Sequence, residues 1–387
     1  MAILKRALAV WLLASGLKVW TNAAPVADPV DQLAATALNN VYKVLDGTLS
    51  DGATHTKCTK SKLLVRKEYG ALTIPERDSY VKAVLCLMSK PSKLSASQAP
   101  GAKNRYDDFV AVHLQQTLTI HLTANFLTWH RYFTWAYENA LRTECGYTGA
   151  QPYWNWAKYP DMLKSPIFDG SPTSLGGNGK YIEHGPHDVG AANVSVPAGN
   201  GGGCINSGPF KSMSVNLGPM AVSLDVKIPP NPQADGLGYN PRCVRRDITT
   251  YFTTKYLRSQ DIASLITGTQ KVYDFQTVMQ TDTTAGFGVH SAGHFTIWGD
   301  PGGDFFISPG DPAFFLHHGQ IDRTWWIWQN QDPAKRVMTV GGNSGVFGSG
   351  PVGTLNDDVD LMKVLASTLK IKDLVSSTGG PFCYVYQ

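Results

Sequence analysis

Seven of the ten histidines in this chain fall in two clusters. One is His113, His121 and His130. The other is His290, His294 and His318, with His317 beside the last. Imidazole is the commonest neutral metal ligand among side chains, so three per cluster describe two nitrogen-only metal sites. Two such sites facing each other can share a two-electron step, which is small-molecule redox chemistry. His290-Ser291-Ala292-Gly293-His294 puts two imidazoles on one face of a helix, because residues four apart are neighbours there. A zinc protease would carry glutamate directly after the first of these histidines. Serine stands there, so that reading fails. His318 supplies a third ligand, and Asp322, one turn on, is expected to orient a ligand ring from behind.

His113, His121 and His130 cannot share one face of a single helix. A helix, a loop and a second helix are needed. A lone His130 on the Phe126/Phe133/Tyr137 face would read as a hydrogen-bonded core histidine. Two triplets with few histidines elsewhere read as metal binding. All-imidazole ligation leaves copper, zinc and iron open.

The elements that must position these residues are mostly helical. Thr73-Ile74-Pro75-Glu76 is a capping box with proline in the first turn, and it starts a helix running to about Met88. A second helix covers Tyr106–Thr117 and carries His113. A third covers Asn125–Arg142, with Phe126, Trp129, Phe133, Tyr137 and Leu141 at helical spacing, and Gly146 ends it. Residues 165–241 are rich in glycine, proline, asparagine and serine and read as a long loop region, with a short strand over Ala221–Ile228. Helix returns over Asp247–Thr267 and Thr284–Ile297. A glycine- and proline-rich connection follows, then a last helix from Asp311 to Gln329. Phe126–His130 echoes Phe314–His318, which suggests two equivalent halves offering histidines to a shared centre.

Hydrophobic residues at 43% and charged residues at 17% give an ordinary globular balance with enough apolar surface for a sizeable core. Met1–Ala24 reads as a secretory signal: Lys5 and Arg6, an apolar run from Ala7 to Leu17, then small residues. The run is short for a membrane span, and a plain apolar first helix is the alternative. Without Lys5, Arg6 and Lys18 the formal charge falls from +4 to +1. Neither nucleic acid nor an acidic surface is then expected as a partner. Six cysteines in a secreted chain suggest three disulfides. Cys204 with Cys243 would tie off a glycine-rich loop, and Cys58 with Cys383 would join the ends of the domain. The absence of Cys-x-x-Cys argues against a thiolate zinc site or a redox dithiol. Asn193-Val194-Ser195 is a glycosylation sequon in a polar loop.

The motifs narrow the metal. His121-Leu122-Thr123-Ala124-Asn125-Phe126-Leu127-Thr128-Trp129-His130-Arg131-Tyr132-Phe133, followed by Pro152-Tyr153-Trp154-Asn155-Trp156, resembles the first copper site of tyrosinases and catechol oxidases. Asp311-Pro312-Ala313-Phe314-Phe315-Leu316-His317-His318-Gly319-Gln320-Ile321-Asp322-Arg323-Thr324-Trp325 resembles their second. Tyr384-Val385-Tyr386 resembles the family's closing tyrosine pair, with Arg66 as its arginine partner. The resemblance spans residues 58–386. It implies a mainly α fold, a four-helix bundle holding a binuclear copper centre, with long loops and a few short strands. It implies two copper ions, CuA on His113, His121 and His130, and CuB on His290, His294 and His318, with O2 as co-substrate. His317 then serves as packing or support, and a helix phase off by one would swap the two roles.

Three positions refine the expectation. Phe305 lies where catechol oxidases place a bulky gate over CuA, although Phe305 or Phe306 could equally fill the core. Ser291 stands where efficient monophenol hydroxylases of the family carry asparagine, and the stretch 276–283 has no glutamate, only Asp282. A phenol with a pKa near ~10 then lacks a base, so the expected activity is oxidation of o-diphenols to o-quinones with weak monophenol hydroxylation. Thr119 replaces a cysteine that many relatives cross-link to the histidine two residues on, leaving His121 to be held by packing. A full tyrosinase and an o-aminophenol oxidase are the nearest alternatives. A haemocyanin-like O2 carrier is a distant one, and a secreted structural protein with a dead site is the bland one. The expected organisation is a signal at 1–24 and one domain at 25–387, with no C-terminal shielding domain. The expected state is a secreted monomer or weak homo-oligomer, acting on small phenols away from membranes.

Overall fold

The computed structural model describes residues 28–189, 193–221, 224–283 and 286–387. The expected signal segment, 1–24, lies outside them. Among the described residues, nine helices carry most of the architecture: α1 (Pro29–Leu45), α2 (Ile74–Ser89), α3 (Arg105–Ile120), α4 (Phe126–Cys145), α5 (Tyr251–Lys255), α6 (Ser259–Gly268), α7 (Val272–Gln280), α8 (Val289–Ile297) and α9 (Ala313–Gln329). The fold is mainly helical, as expected. α4 packs on α2, α3 and α9, and α9 packs in turn on α8.

Local chemistry sets the helix ends. Thr73 accepts from the Glu76 amide while Glu76 accepts from the Thr73 amide, so the predicted capping box forms at the start of α2. Asn104 and Asp107 do the same for α3. α4 stops at Gly146, whose φ of 67° is the left-handed region that glycine enters without a Cβ clash. Its apolar positions Phe126, Trp129, Phe133, Tyr137 and Leu141 are all buried. The Tyr137 ring stacks on Phe315 of α9 at 3.5 Å between centroids, and Phe133 stacks on the same ring at 5.6 Å. These aromatic contacts fix the distance between the two helices that carry His130 and His318.

The strands are short pairs. Leu64–Arg66 runs parallel to Tyr384–Tyr386, with Arg66 opposite Tyr386. His187–Val189 pairs antiparallel with Val194–Val196, and exposed Asn193 sits at the turn between them. Three disulfides join Cys58 to Cys383, Cys86 to Cys145 and Cys204 to Cys243. Both expected pairs are present. They are consistent with an extracellular protein. No helix among the described residues is long and apolar enough to cross a membrane.

Several boundaries differ from expectation. Residues 224–228 form no strand, and 222–223 lie outside the described residues. The helix expected over Asp247–Thr267 breaks into α5 and α6, because the chain turns at Tyr256, Leu257 and Arg258 before capping on Asp261. The helix expected from Thr284 begins only at Val289, after the antiparallel pair of Asp282–Thr283 with Gly286–Phe287. The structure adds two helices beyond those expected, α1 and α7.

Candidate metal centre

α3 and α4 place the first triad. His113 lies on α3, His121 caps its C-terminus, and His130 lies on the second turn of α4. Their ring centroids stand 5.2 Å (113–121), 4.9 Å (121–130) and 5.9 Å (113–130) apart. Each Nδ1 donates to a backbone carbonyl: His113 to Phe306 at 2.8 Å, His121 to Thr117 at 2.9 Å and His130 to Phe126 at 2.8 Å. A carbonyl only accepts, so these bonds put the ring proton on Nδ1 and leave Nε2 as a bare lone pair. Nε2 of His113 and of His130 is buried and has no hydrogen-bond partner among the described residues. Thr119 donates instead to the Gln116 carbonyl at 2.9 Å. His121 is therefore held by a hydrogen bond as well as by packing, which corrects the expectation of packing alone.

α8 and α9 place the second triad. His290 and His294 share one face of α8, and His318 projects from α9. The His318 and His294 Nε2 atoms face each other at 3.3 Å, and His290 Nε2 is buried without a partner. The adjacent His317 differs. Its Nδ1 accepts from Trp156 Nε1 at 3.1 Å and its Nε2 donates to the His290 carbonyl at 3.1 Å. Both nitrogens are used, so His317 supports His290 from behind. The His130 and His318 rings stack at 4.6 Å, which sets the two triads face to face.

Burial, reinforced by neighbouring imidazoles, pushes the His113, His130, His290 and His318 rings well below the usual imidazole pKa. His294 follows for the same reasons, and burial brings His121 to about 4. The rings are therefore neutral at neutral pH, as metal ligation requires. Each triad brings its ligand atoms within 4.8 Å of one another. Two sets of preformed, neutral, nitrogen-only donors with unpaired buried Nε2 atoms fit copper.

The first comparison decides the family. Residues 103–331 match the common central domain of tyrosinase. The chain belongs to the tyrosinase family. It is a type-3 copper oxidoreductase of the group that acts on phenols with O2. Tyrosinase P of Aspergillus terreus is 37% identical over 334 residues, covering 83% of this chain and 91% of that protein. The tyrosinase-like protein orsC of Emericella nidulans is 40% identical over 314 residues, covering 78% and 82%. A polyphenol oxidase of Thermothelomyces thermophila has a solved structure that is 44% identical, with a TM-score of 0.85, covering 93% of this chain and 98% of that one.

In this tyrosinase-family chain a cavity of about 600 Å³ opens onto His121, His290 and His294. Phe305 is 42% exposed and its ring lies 4.5 Å from that of His121. It stands at the cavity, not in the core, whereas Phe306 is the ring that packs inward. Ser291 lines the same cavity and donates to the Gln280 carbonyl at 3.1 Å. Asp322 is placed differently from expectation. Its carboxylate meets no imidazole: it accepts from Arg66 (3.2 Å), Arg131 (2.6 Å), Tyr384 (2.6 Å) and Tyr386 (2.5 Å). Two buried guanidinium groups outcompete a neutral ring for that carboxylate.

Leu122, Gln280, Asp304 and Phe347 also line the cavity and were not foreseen. Phe347 comes from a loop far along the chain, and nothing in its local sequence marks it. Asp304 neighbours Phe305, yet its role is structural: it accepts from the amides of Met220, Ala221 and Phe306 at 2.7–2.9 Å. The same segment carries the Phe306 carbonyl that orients His113. The Asp282 side chain lies outside the described residues.

Proposed function

We propose that this protein is a catechol oxidase, turning o-diphenols into o-quinones with O2 and hydroxylating monophenols only weakly. His113, His121 and His130 would hold one copper, and His290, His294 and His318 the other. Copper, when bound, supplies the two-electron redox chemistry that couples diphenol oxidation to reduction of O2. Two diphenols and one O2 give two o-quinones and two waters.

The observation that carries the preference is the lack of a free base among the described residues that line the cavity. Asp304 is the only carboxylate among its lining residues, and three backbone amides occupy it. Burial raises the Asp304 pKa, yet its lone pairs face those amides and not the cavity. Gln280 is a neutral amide, with Oε1 accepting from the Leu122 amide at 2.9 Å and Nε2 donating to the Gln276 carbonyl at 3.1 Å. The Ser291 hydroxyl is turned to a carbonyl. A monophenol entering this cavity keeps its proton, because its pKa lies near ~10. An o-diphenol needs less help. Phe305 over His121 would confine the aromatic ring as it enters.

The same reading makes residues 25–387 one catalytic domain, secreted after loss of residues 1–24. The sequon at exposed Asn193 could then carry a glycan. Oxygen uptake on copper-loaded protein tests the assignment, with 4-tert-butylcatechol and tyramine compared side by side after copper has been counted. Two coppers per chain, fast catechol turnover and negligible tyramine turnover support it. Comparable rates with the two substrates would make the protein a tyrosinase, and copper without turnover of either would make it an O2 carrier.

A further inference from the structure

Behind the second triad lies another group of ligand-bearing side chains. His184 and His187 flank the start of the strand His187–Val189, and Asp247 follows the strand Arg242–Cys243. Their donor atoms all lie within 4.8 Å of one another. The His187 ring packs at 4.5 Å on Trp298, which caps the C-terminus of α8, and the Asp247 amide donates to the Ile297 carbonyl at 3.3 Å. The cluster thus sits where the glycine-rich segment meets the end of the helix carrying His290 and His294.

The hydrogen bonds leave one nitrogen unexplained. His184 Nδ1 donates to the Gly185 carbonyl at 2.9 Å, so a neutral ring turns its Nε2 lone pair inward. That side chain is 1% exposed, and Nε2 stands 3.4 Å from Asp247 Oδ2 with no hydrogen-bond partner among the described residues. With that ring neutral, two electron-rich acceptors face each other in a buried place, which is costly unless a proton or a metal cation lies between them. His187 Nε2 points at the same oxygen from 2.6 Å. The amides of Gly199 (2.7 Å, to Oδ2) and Gly201 (2.8 Å, to Oδ1) fix the carboxylate from the other side. A simple His187–Asp247 hydrogen bond accounts for one imidazole and leaves the His184 nitrogen idle.

We propose that His184 Nε2, His187 Nε2 and Asp247 Oδ2 bind a divalent cation of the zinc class, with water as the fourth ligand. Two imidazoles and one carboxylate are a recurring donor set for such ions. On binding, His187 releases its Nε2 proton to solvent and no electrons are exchanged. The cation replaces that proton and also engages His184. It ties the glycine-rich segment to the end of α8, away from the cavity.

Zinc retention by the full-length protein tests this. The protein is loaded with copper, exposed to Zn2+, dialysed and analysed for both metals. The expected result is one zinc per chain beside an unchanged copper content, with an X-ray absorption spectrum showing imidazole nitrogen at ~2.0–2.1 Å. His184→Gln should weaken zinc retention at least ~tenfold while copper content and catechol oxidation stay as in the parent. Absence of retained zinc, zinc held only at the expense of copper, equal retention by His184→Gln, or a zinc shell without imidazole would each overturn the proposal. The spectrum of the unmodified protein decides the matter even where the variant folds poorly.

Discussion

His317 and His318 are neighbours in the chain, and hydrogen bonding separates them. Both His317 nitrogens are taken, by the Trp156 indole and the His290 carbonyl. His318 instead turns Nε2 towards His294 at 3.3 Å. His318→Ala is therefore expected to lose one copper and all oxidase activity. His317→Ala should keep both coppers and lose stability by ~1–3 kcal/mol for each buried group left unpaired. Copper counting and urea denaturation of the two variants check this, and copper loss in His317→Ala would reverse the assignment. Ser291 is the second informative residue. Ser291→Asn brings an amide to the cavity wall beside Gln280, where it can hold a water against an entering phenol. The ratio of tyramine to 4-tert-butylcatechol turnover should rise. An unchanged ratio would remove the lack of a base as the reason for diphenol preference.

At the scale of elements, the second triad depends on how closely α8 approaches α9. Gly293 marks the contact, because a β-carbon there would lie 2.1 Å from His317 Cε1. Only glycine lets the helix come near enough for His290 and His294 to meet His318. Gly293→Ala is expected to push the helices apart, costing ~1–3 kcal/mol as overpacking does. The second copper should be lost while the first, on α3 and α4, is kept. A binding titration with one site remaining supports this, and full occupancy argues against it. α4 meets α9 through stacked aromatic rings instead.

For the molecule as a whole, the chain ends are locked to the bundle. Asp322 on α9 collects Arg66, Arg131, Tyr384 and Tyr386 from three separate stretches, and the Arg66 guanidinium also lies 3.6 Å over the Tyr384 ring. Asp322→Asn leaves buried Arg131 without its counter-charge, while Arg66 keeps Glu138. It should destabilise the fold by ~3–5 kcal/mol, read by denaturation of the copper-free protein, with little change in the histidine geometry. A nearby pair adds pH dependence. The Asp51 hydrogen bond holds the His55 pKa above its usual value, against partial burial. Burial of Asp51 is outweighed by His55 and the Ala53 amide, so its pKa is lowered. The imidazole's contribution is fully present below the unfolded value of about 6.5 and is lost as pH rises through the raised folded value. The carboxylate's contribution is present above the usual carboxylate range and fades as pH falls through its lowered value. His55 also bonds the Thr378 carbonyl, joining the residue-51 loop to the C-terminal segment. The melting temperature of copper-free protein should fall as pH rises past about 6.5, and His55→Gln should flatten that slope.

The sequence alone was enough to pick out the histidines that the fold brings together. Histidine is rare here and the His290/His294 step follows local helical geometry, so the two clusters, the capping of α2, the end of α4 and two of the three disulfides were legible. The long motifs around His130 and His318 named the family before any coordinate was known. Other features belong to tertiary structure, because they arise where distant stretches meet. Asp322 looked like support for a ligand ring, yet Arg66 and the Tyr384/Tyr386 pair, brought beside it by a parallel strand pairing, claim its carboxylate. Phe305 could be core or gate until the fold left it exposed over His121. Phe347 and Asp304 reach the cavity from loops that carry no periodic signal, and His184 meets Asp247 only because a glycine-rich segment folds back on the end of α8. Ligand spacing is a short-range property of a helix, whereas the competition among charges, carbonyls and rings is decided by which segments pack together.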